Sequence, residues 1–284
     1  MGICKYCGQD AGFLRHAHPQ CQARYQEQLR QHEAATAEAA SLVASYVEGQ
    51  IDHPALLAKL RDMEARHSVA PNEMHQIFIR GWEKAVDDLL ANGLLTAQQE
   101  ERLVNFQTEV KLTREELDAH GAFMKVSKAS VLRSVLEGHP RKDIKITGVN
   151  FNLLGGEYLI WIFSNVDYLE ERIHREYRGG YGGFSIRVAR GLYYHTGAFH
   201  GRPVDSTSLD PLDRGTLGIT NLGIYFAGSI KVFRVPYKKI VAFEPFSDAV
   251  QITRDAASAK PQIFSVDDSW FAFNLMKNLA AIPS

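Results

Sequence analysis

Residues 215–253 read GTLGITNLGIYFAGSIKVFRVPYKKIVAFEPFSDAVQIT. Short runs rich in Ile, Val, Phe and Tyr alternate with polar residues. They are cut by Asn221-Leu222-Gly223, Gly228-Ser229, Pro236 and Ser247-Asp248. That period and those breaks predict five short antiparallel strands. Working outward, EYLIWIFSNVDYL (157–169) predicts a long strand before them, and Ile144 and Ile146 begin an alternating pattern. FSIRVARGLYYHTG (184–197) predicts a bent strand or hairpin, and KPQIFSV (260–266) one more strand. A final helix from about Asp268 has Phe271, Leu275, Leu279 and Ile282 spaced for one face, with Asp267 or Asp268 as cap.

Seven or so antiparallel strands closed by one helix is the plan of a pleckstrin-homology-like (PH-like) barrel. The stretch resembles the bacterial PH and GRAM-type pattern through Thr220-Asn221, Tyr225-Phe226, Val235-Pro236-Tyr237, Lys239-Ile240 and Asp248. The resemblance implies a PH-like antiparallel β-barrel with a capping helix over 141–284. It says little about ligand, because function belongs to sites and not to folds.

The opposite end of the chain carries a different signal. All three cysteines, Cys4, Cys7 and Cys21, lie in MGICKYCGQDAGFLRHAHPQC (1–21). With His18 they spell C-x2-C-x10-H-x2-C, a Cys3His set for structural zinc. Four protein ligands leave no open position for water, and metal binding supplies the folding free energy that a twenty-residue segment lacks. His16 is the rival fourth ligand. Residues 1–24 are therefore expected to form a short zinc finger.

Residues 25–140 are expected to be all-helical. Pro19 to Gly49 reads as one long helix, with Tyr25, Leu29, His32, Thr36, Ala39, Val43 and Tyr46 at four-three spacing. Further helices are expected over Pro54–His67, Pro71–Ala91, after the capping boxes Thr96-x-x-Gln99 and Thr113-x-x-Glu116, and over about Phe123–Glu137. DDLLANGLLTAQQEERLVNF (87–106) lacks the alternating acidic oxygens of a calcium loop. It resembles the helical TerB-type domains, with Asn92-Gly93 where that pattern has an acidic residue and glycine. Only the helical architecture carries over.

Taken together, the fold class is α+β multidomain. The chain has 284 residues and a formal net charge of −1, so no global field draws it to nucleic acid or membrane. Clustered, odd-numbered cysteines fit a reducing compartment, and no long apolar run marks a signal or span, so a cytoplasmic location is expected. Residues 141–284 hold 17 Lys and Arg against 14 Asp and Glu. Lys231, Arg234, Lys238 and Lys239 gather around one hairpin, either as a site for an anionic lipid headgroup at a membrane surface or as solvated strand faces.

REYRGGYGGF (175–184) lacks the Gly-Lys-Ser/Thr of a phosphate loop and is expected to be a flexible connection. His195, His200 and Asp205 are a weak second metal or catalytic set. With no complete catalytic motif, the expectation is a non-enzymatic adaptor that recognises a protein. Nucleic-acid binding through the finger and an enzyme with a dispersed site are the alternatives.

Overall fold

The computed structural model describes residues 2–12, 15–67, 69–91, 93–142, 151–170, 176–182, 185–189, 192–195, 198–204, 211–256 and 260–283, with backbone pairing only from 176 to 204. Two compact units divide the chain, Met1–Val126 and Ser127–Ser284.

In the first unit, β1 (Gly2–Ile3) and β2 (Asp10–Gly12) form a small antiparallel hairpin. It leads into α1 (Pro19–Val47), which starts with His18 as N-cap and proline in its first turn. Then come α2 (His53–His67), α3 (Pro71–Leu90), α4 (Ala97–Glu109) and the short α5 (Arg114–Asp118). The first two helices end and begin close to the sequence expectation, because the caps are local signals. Thr96 and Thr113 each accept from the backbone N–H three residues on, and Gln99 and Glu116 reach back to the cap N–H. Both capping boxes therefore form as read.

The helices pack through Ala39, Val43, Ile77, Trp82, Ala85 and Leu103, all buried. Gly81 sets the α1–α3 approach: a Cβ there would lie 2.5 Å from the Val43 Cβ. Trp82 donates its indole N–H to the Leu103 carbonyl at 3.1 Å, which ties α3 to α4 without leaving a buried donor unpaired. On α1 the expected seam splits. Thr36 to Tyr46 face the bundle, but no residue from 19 to 34 is buried. Those sixteen residues span about 24 Å of helix, and His32 near their end still reaches Glu73 of α3 at 3.0 Å.

α6 (Ala122–Leu136) carries the chain from one unit's range into the other's. In the second unit β3 (Leu159–Glu170) is followed by two nested pairings. β4 (Glu176–Gly182) pairs with β7 (Ala198–Val204), and β5 (Ser185–Ala189) pairs with β6 (Leu192–His195). The flexible connection expected at 175–184 is thus a strand over 176–182; its glycines hid the pattern. The hairpin expected over 184–197 forms. The alternation at Ile144 and Ile146 lies outside the described residues.

β8 (Asp213–Thr220), β9 (Gly223–Gly228), β10 (Val232–Pro236), β11 (Ile240–Pro245) and β12 (Ala249–Arg254) are the five strands of the opening stretch. With β13 (Gln262–Ser265) they build one antiparallel sheet in the order β10-β9-β8-β3-β13-β12-β11. This sheet is open, a correction to the closed barrel expected from the sequence. β10 and β11 are its two edges, and the 3₁₀ turn Tyr237–Lys239 separates them. Each edge ends in a proline, which cannot extend a ladder.

α7 (Ser269–Ala281) follows, capped by Asp268, whose carboxylate accepts from the Phe271 N–H at 2.9 Å. Phe271 packs edge-on against Trp161 of β3. Nearly every residue of α7 from Ser269 to Leu279 is buried, so the helix belongs to the core and is not merely a lid over it.

Candidate metal centre and the basic hairpin

The centre is built where the β1–β2 hairpin meets α1. Cys4 and Cys7 lie on the hairpin's turn, His18 is the N-cap of α1, and Cys21 sits in its first turn. Gly8 follows Cys7 with φ at +71°, the left-handed conformation that closes the knuckle. Its N–H donates to the Cys4 carbonyl at 2.8 Å, and the Cys4 N–H donates to the Gln9 carbonyl at 2.8 Å.

The ligand atoms of Cys4, Cys7, His18 and Cys21 all lie within 4.8 Å of one another. His18 Nδ1 is 3.4 Å from the Cys7 sulfur and 3.7 Å from the Cys21 sulfur. A tetrahedral zinc with ordinary Zn–S and Zn–N bonds separates its nitrogen and sulfur ligands by about 3.5 Å. The other ring nitrogen of His18 lies 2.9 Å from the Asp10 carbonyl, which can only accept. Nε2 therefore carries the proton and Nδ1 offers its lone pair to the cluster, the outer support that metal-binding histidines use. His16 is not in the cluster; its carbonyl accepts from the Lys5 N–H.

Charge at the centre follows from its geometry. Burial acts to raise the Cys4 thiol, but N–H groups of His18, Tyr6 and Cys7 aimed at its sulfur bring it down to about 6. Cys21 is pushed up, first by burial and then by the Cys7 and Cys4 sulfurs beside it. Three cysteine sulfurs crowd one another here, and a divalent cation at their centre would displace the thiol protons. The three cysteines and one histidine fit such a cation.

No protein-family model and no curated protein matches this chain. Its function is therefore argued from its residues.

The four basic residues singled out on the hairpin do not converge. The Lys231 backbone N–H donates to Asp213 at the start of β10, and its side chain is exposed. Arg234 turns inward to Glu157 at 3.3 Å and lies over the Tyr225 ring. Lys238 and Lys239 are exposed in the 3₁₀ turn at the far end. Five residues of strand separate the two ends, about 17 Å. A single headgroup cannot bridge them.

Two carboxylates missed in the sequence organise this hairpin. Asp213 accepts from the N–H groups of Arg214, Ser229, Ile230 and Lys231 and from the Ser229 hydroxyl. Burial acts against its charge, but these donors outweigh it and hold the carboxyl down at about 2. Glu157 is fully buried. Burial alone would raise it, yet donors from Thr220, Tyr225, Leu154 and Arg234 hold it below the usual range. Asn221 accepts from the Tyr158 N–H, and Tyr237 donates to the Thr220 carbonyl. Thr220, Asn221, Tyr225 and Tyr237, which carried the family resemblance, thus hold the sheet together.

His195 and His200 fall on the separate β6 and β7 pairings, and Asp205 lies outside the described residues. A concavity of about 370 Å³ beside the end of α7 has His139, Lys142, Tyr158 and Asn221 as its polar groups. Asn221 is already engaged there, and Lys142 lies over the Tyr158 ring. No helix among the described residues is long and apolar enough to cross a membrane.

Proposed function

We propose that the chain is a non-enzymatic, zinc-binding interaction protein whose second unit is a PH-like β domain that recognises a protein partner. The observation that carries this reading is the closure of the metal centre. Four protein donors converge at tetrahedral spacing, so the ion they hold has no position left for a substrate or an activated water. The metal then serves structure, and Zn²⁺ is the ion these ligands and this spacing suit best.

The PH-like reading is supported by the sheet. Its strand order places β3 centrally, with β8, β9 and β10 running out to one side and β13, β12 and β11 to the other, and one helix follows. The finger's location supports an interaction role. It sits on the half of α1 that buries no residue, with Tyr6 against Tyr25 and with Ile3, Tyr25 and Leu29 exposed.

The test combines metal content with partner class. Elemental analysis of the purified full chain is expected to give one zinc per chain, lost in Cys4→Ser/Cys21→Ser and kept in His16→Ala. The wild-type chain is expected not to pellet with anionic or neutral vesicles and not to shift RNA or DNA at low salt. Salt-sensitive pelleting with anionic vesicles alone would make it a peripheral membrane protein. A salt-sensitive nucleic-acid shift would favour binding through the finger.

A further inference from the structure

We propose that the outer edge of β10 is a docking strand for an extended acidic segment of a partner protein. The inference deepens the protein-recognition reading above and rests on it.

The argument starts from pairing parity. The Gly228 N–H donates to the Lys231 carbonyl, and at the other end the Tyr237 N–H donates to the Leu222 carbonyl. Between these two bonded pairs the β9–β10 register is regular. Facing pairs in an antiparallel ladder alternate between bonded and non-bonded. Val232, Arg234 and Pro236 are therefore the non-bonded members, and their backbone groups point away from β9. Among the described residues no strand pairs on that side. Val232 and Arg234 present an N–H and a carbonyl each, and Pro236 ends the register because it has no N–H.

The surroundings define the occupant. Ile230 and Val232 are 73% and 75% exposed, the most exposed large apolar side chains described. Lysine and proline at an edge can blunt it against pairing, but here Val232, the most exposed large apolar side chain described, stands in the open register. Lys231 stands at one end of the strand and Lys238 and Lys239 at the other.

Neither of the two described acids beside the strand, Asp213 and Glu157, forms an ion pair with these lysines. The carboxylate of Asp213 is taken up by turn donors, and Glu157 is buried against Arg234. An extended peptide that alternates apolar and acidic residues matches this edge: backbone rungs on Val232 and Arg234, apolar contact with Ile230 and Val232, and acids toward the lysines. The Asp213 clamp fixes the turn before binding, which lowers the ordering cost of docking.

The experiment selects displayed random dodecapeptides on the zinc-loaded full chain and measures the winners by fluorescence anisotropy. The expected peptides alternate acidic with β-branched residues. Their affinity falls by about tenfold or more on Val232→Pro, which removes an outward N–H without touching the ladder to β9. It falls similarly on Lys231→Glu/Lys238→Glu/Lys239→Glu, whose exposed side chains leave the core alone. His16→Ala, outside the metal cluster, leaves it unchanged.

Peptides that bind with no sensitivity to either edge variant would overturn the edge assignment while protein recognition stands. Failure to enrich any peptide would overturn both. Pelleting with phosphatidylserine vesicles that is lost in the lysine variant and kept in Val232→Pro would replace the docking strand with a membrane contact.

Discussion

Glu157 shows how much of this protein rests on single polar side chains. It is buried, yet three side-chain donors and one backbone N–H satisfy it, and one donor is a guanidinium. Removing one member of a buried ion pair strands the other. Glu157→Ala is therefore expected to cost about 2–4 kcal/mol in urea unfolding, less than a fully desolvated pair because Arg234 keeps some contact with water.

Asp213 and Glu116 give a pH prediction. Both carboxyls sit at about 2 in the folded chain, below their ordinary 3.8 and 4.5. For Glu116 the Thr113 N–H comes first and His75 second. Unfolding therefore takes up protons between about pH 5 and pH 2. The stabilisation is complete above about pH 5 and is lost as pH falls toward 2; a midpoint that stayed level over that range would contradict it. Glu116 was legible through its capping box, but Asp213 and Glu157 were not. Glu157 meets Thr220 and Tyr225 more than sixty residues away, and only the fold brings them together.

At the scale of elements, what was legible was local. The capping boxes at Thr96 and Thr113, the Asp268 cap and the five strands from 213 to 254 all follow from signals a few residues long. β4 was read as a loop because Gly179, Gly180 and Gly182 leave no hydrophobic alternation. The closed barrel failed because no local signal says whether two edges meet.

Two substitutions test the helical packing. Thr96→Ala removes an N-cap and is expected to cost about 1 kcal/mol. Gly81→Val forces a branched side chain into the contact with Val43 and is expected to cost about 2 kcal/mol or more, because both helices must move. Thermal unfolding followed by far-UV circular dichroism ranks the two, and the reverse order would contradict the close α1–α3 approach.

At the scale of the whole molecule, the chain places its Cys3His cluster and its large sheet in different units. The finger was legible because its ligands are few, chemically distinctive and close in sequence. The order of the sheet was not, since it depends on β3 pairing with both β8 and β13 across long stretches of chain. Metal removal is expected to act on one unit. A strong chelator should release the hairpin and the first turn of α1, seen as rapid hydrogen exchange over residues 2–24. Protection of β8, β9 and β12 should stay unchanged, and loss of protection in both regions would show that the sheet also depends on the metal.

The most direct measurement is a titration of the metal-free full chain with Co²⁺, followed by absorption spectroscopy and then by added azide. A closed Cys3His centre predicts saturation at one equivalent, strong d–d bands of a tetrahedral ion, intense thiolate charge transfer and no response to azide. Weak bands of a six-coordinate ion, or a spectrum that shifts with azide, would show an open site and contradict the structural role assigned to Cys4, Cys7, His18 and Cys21.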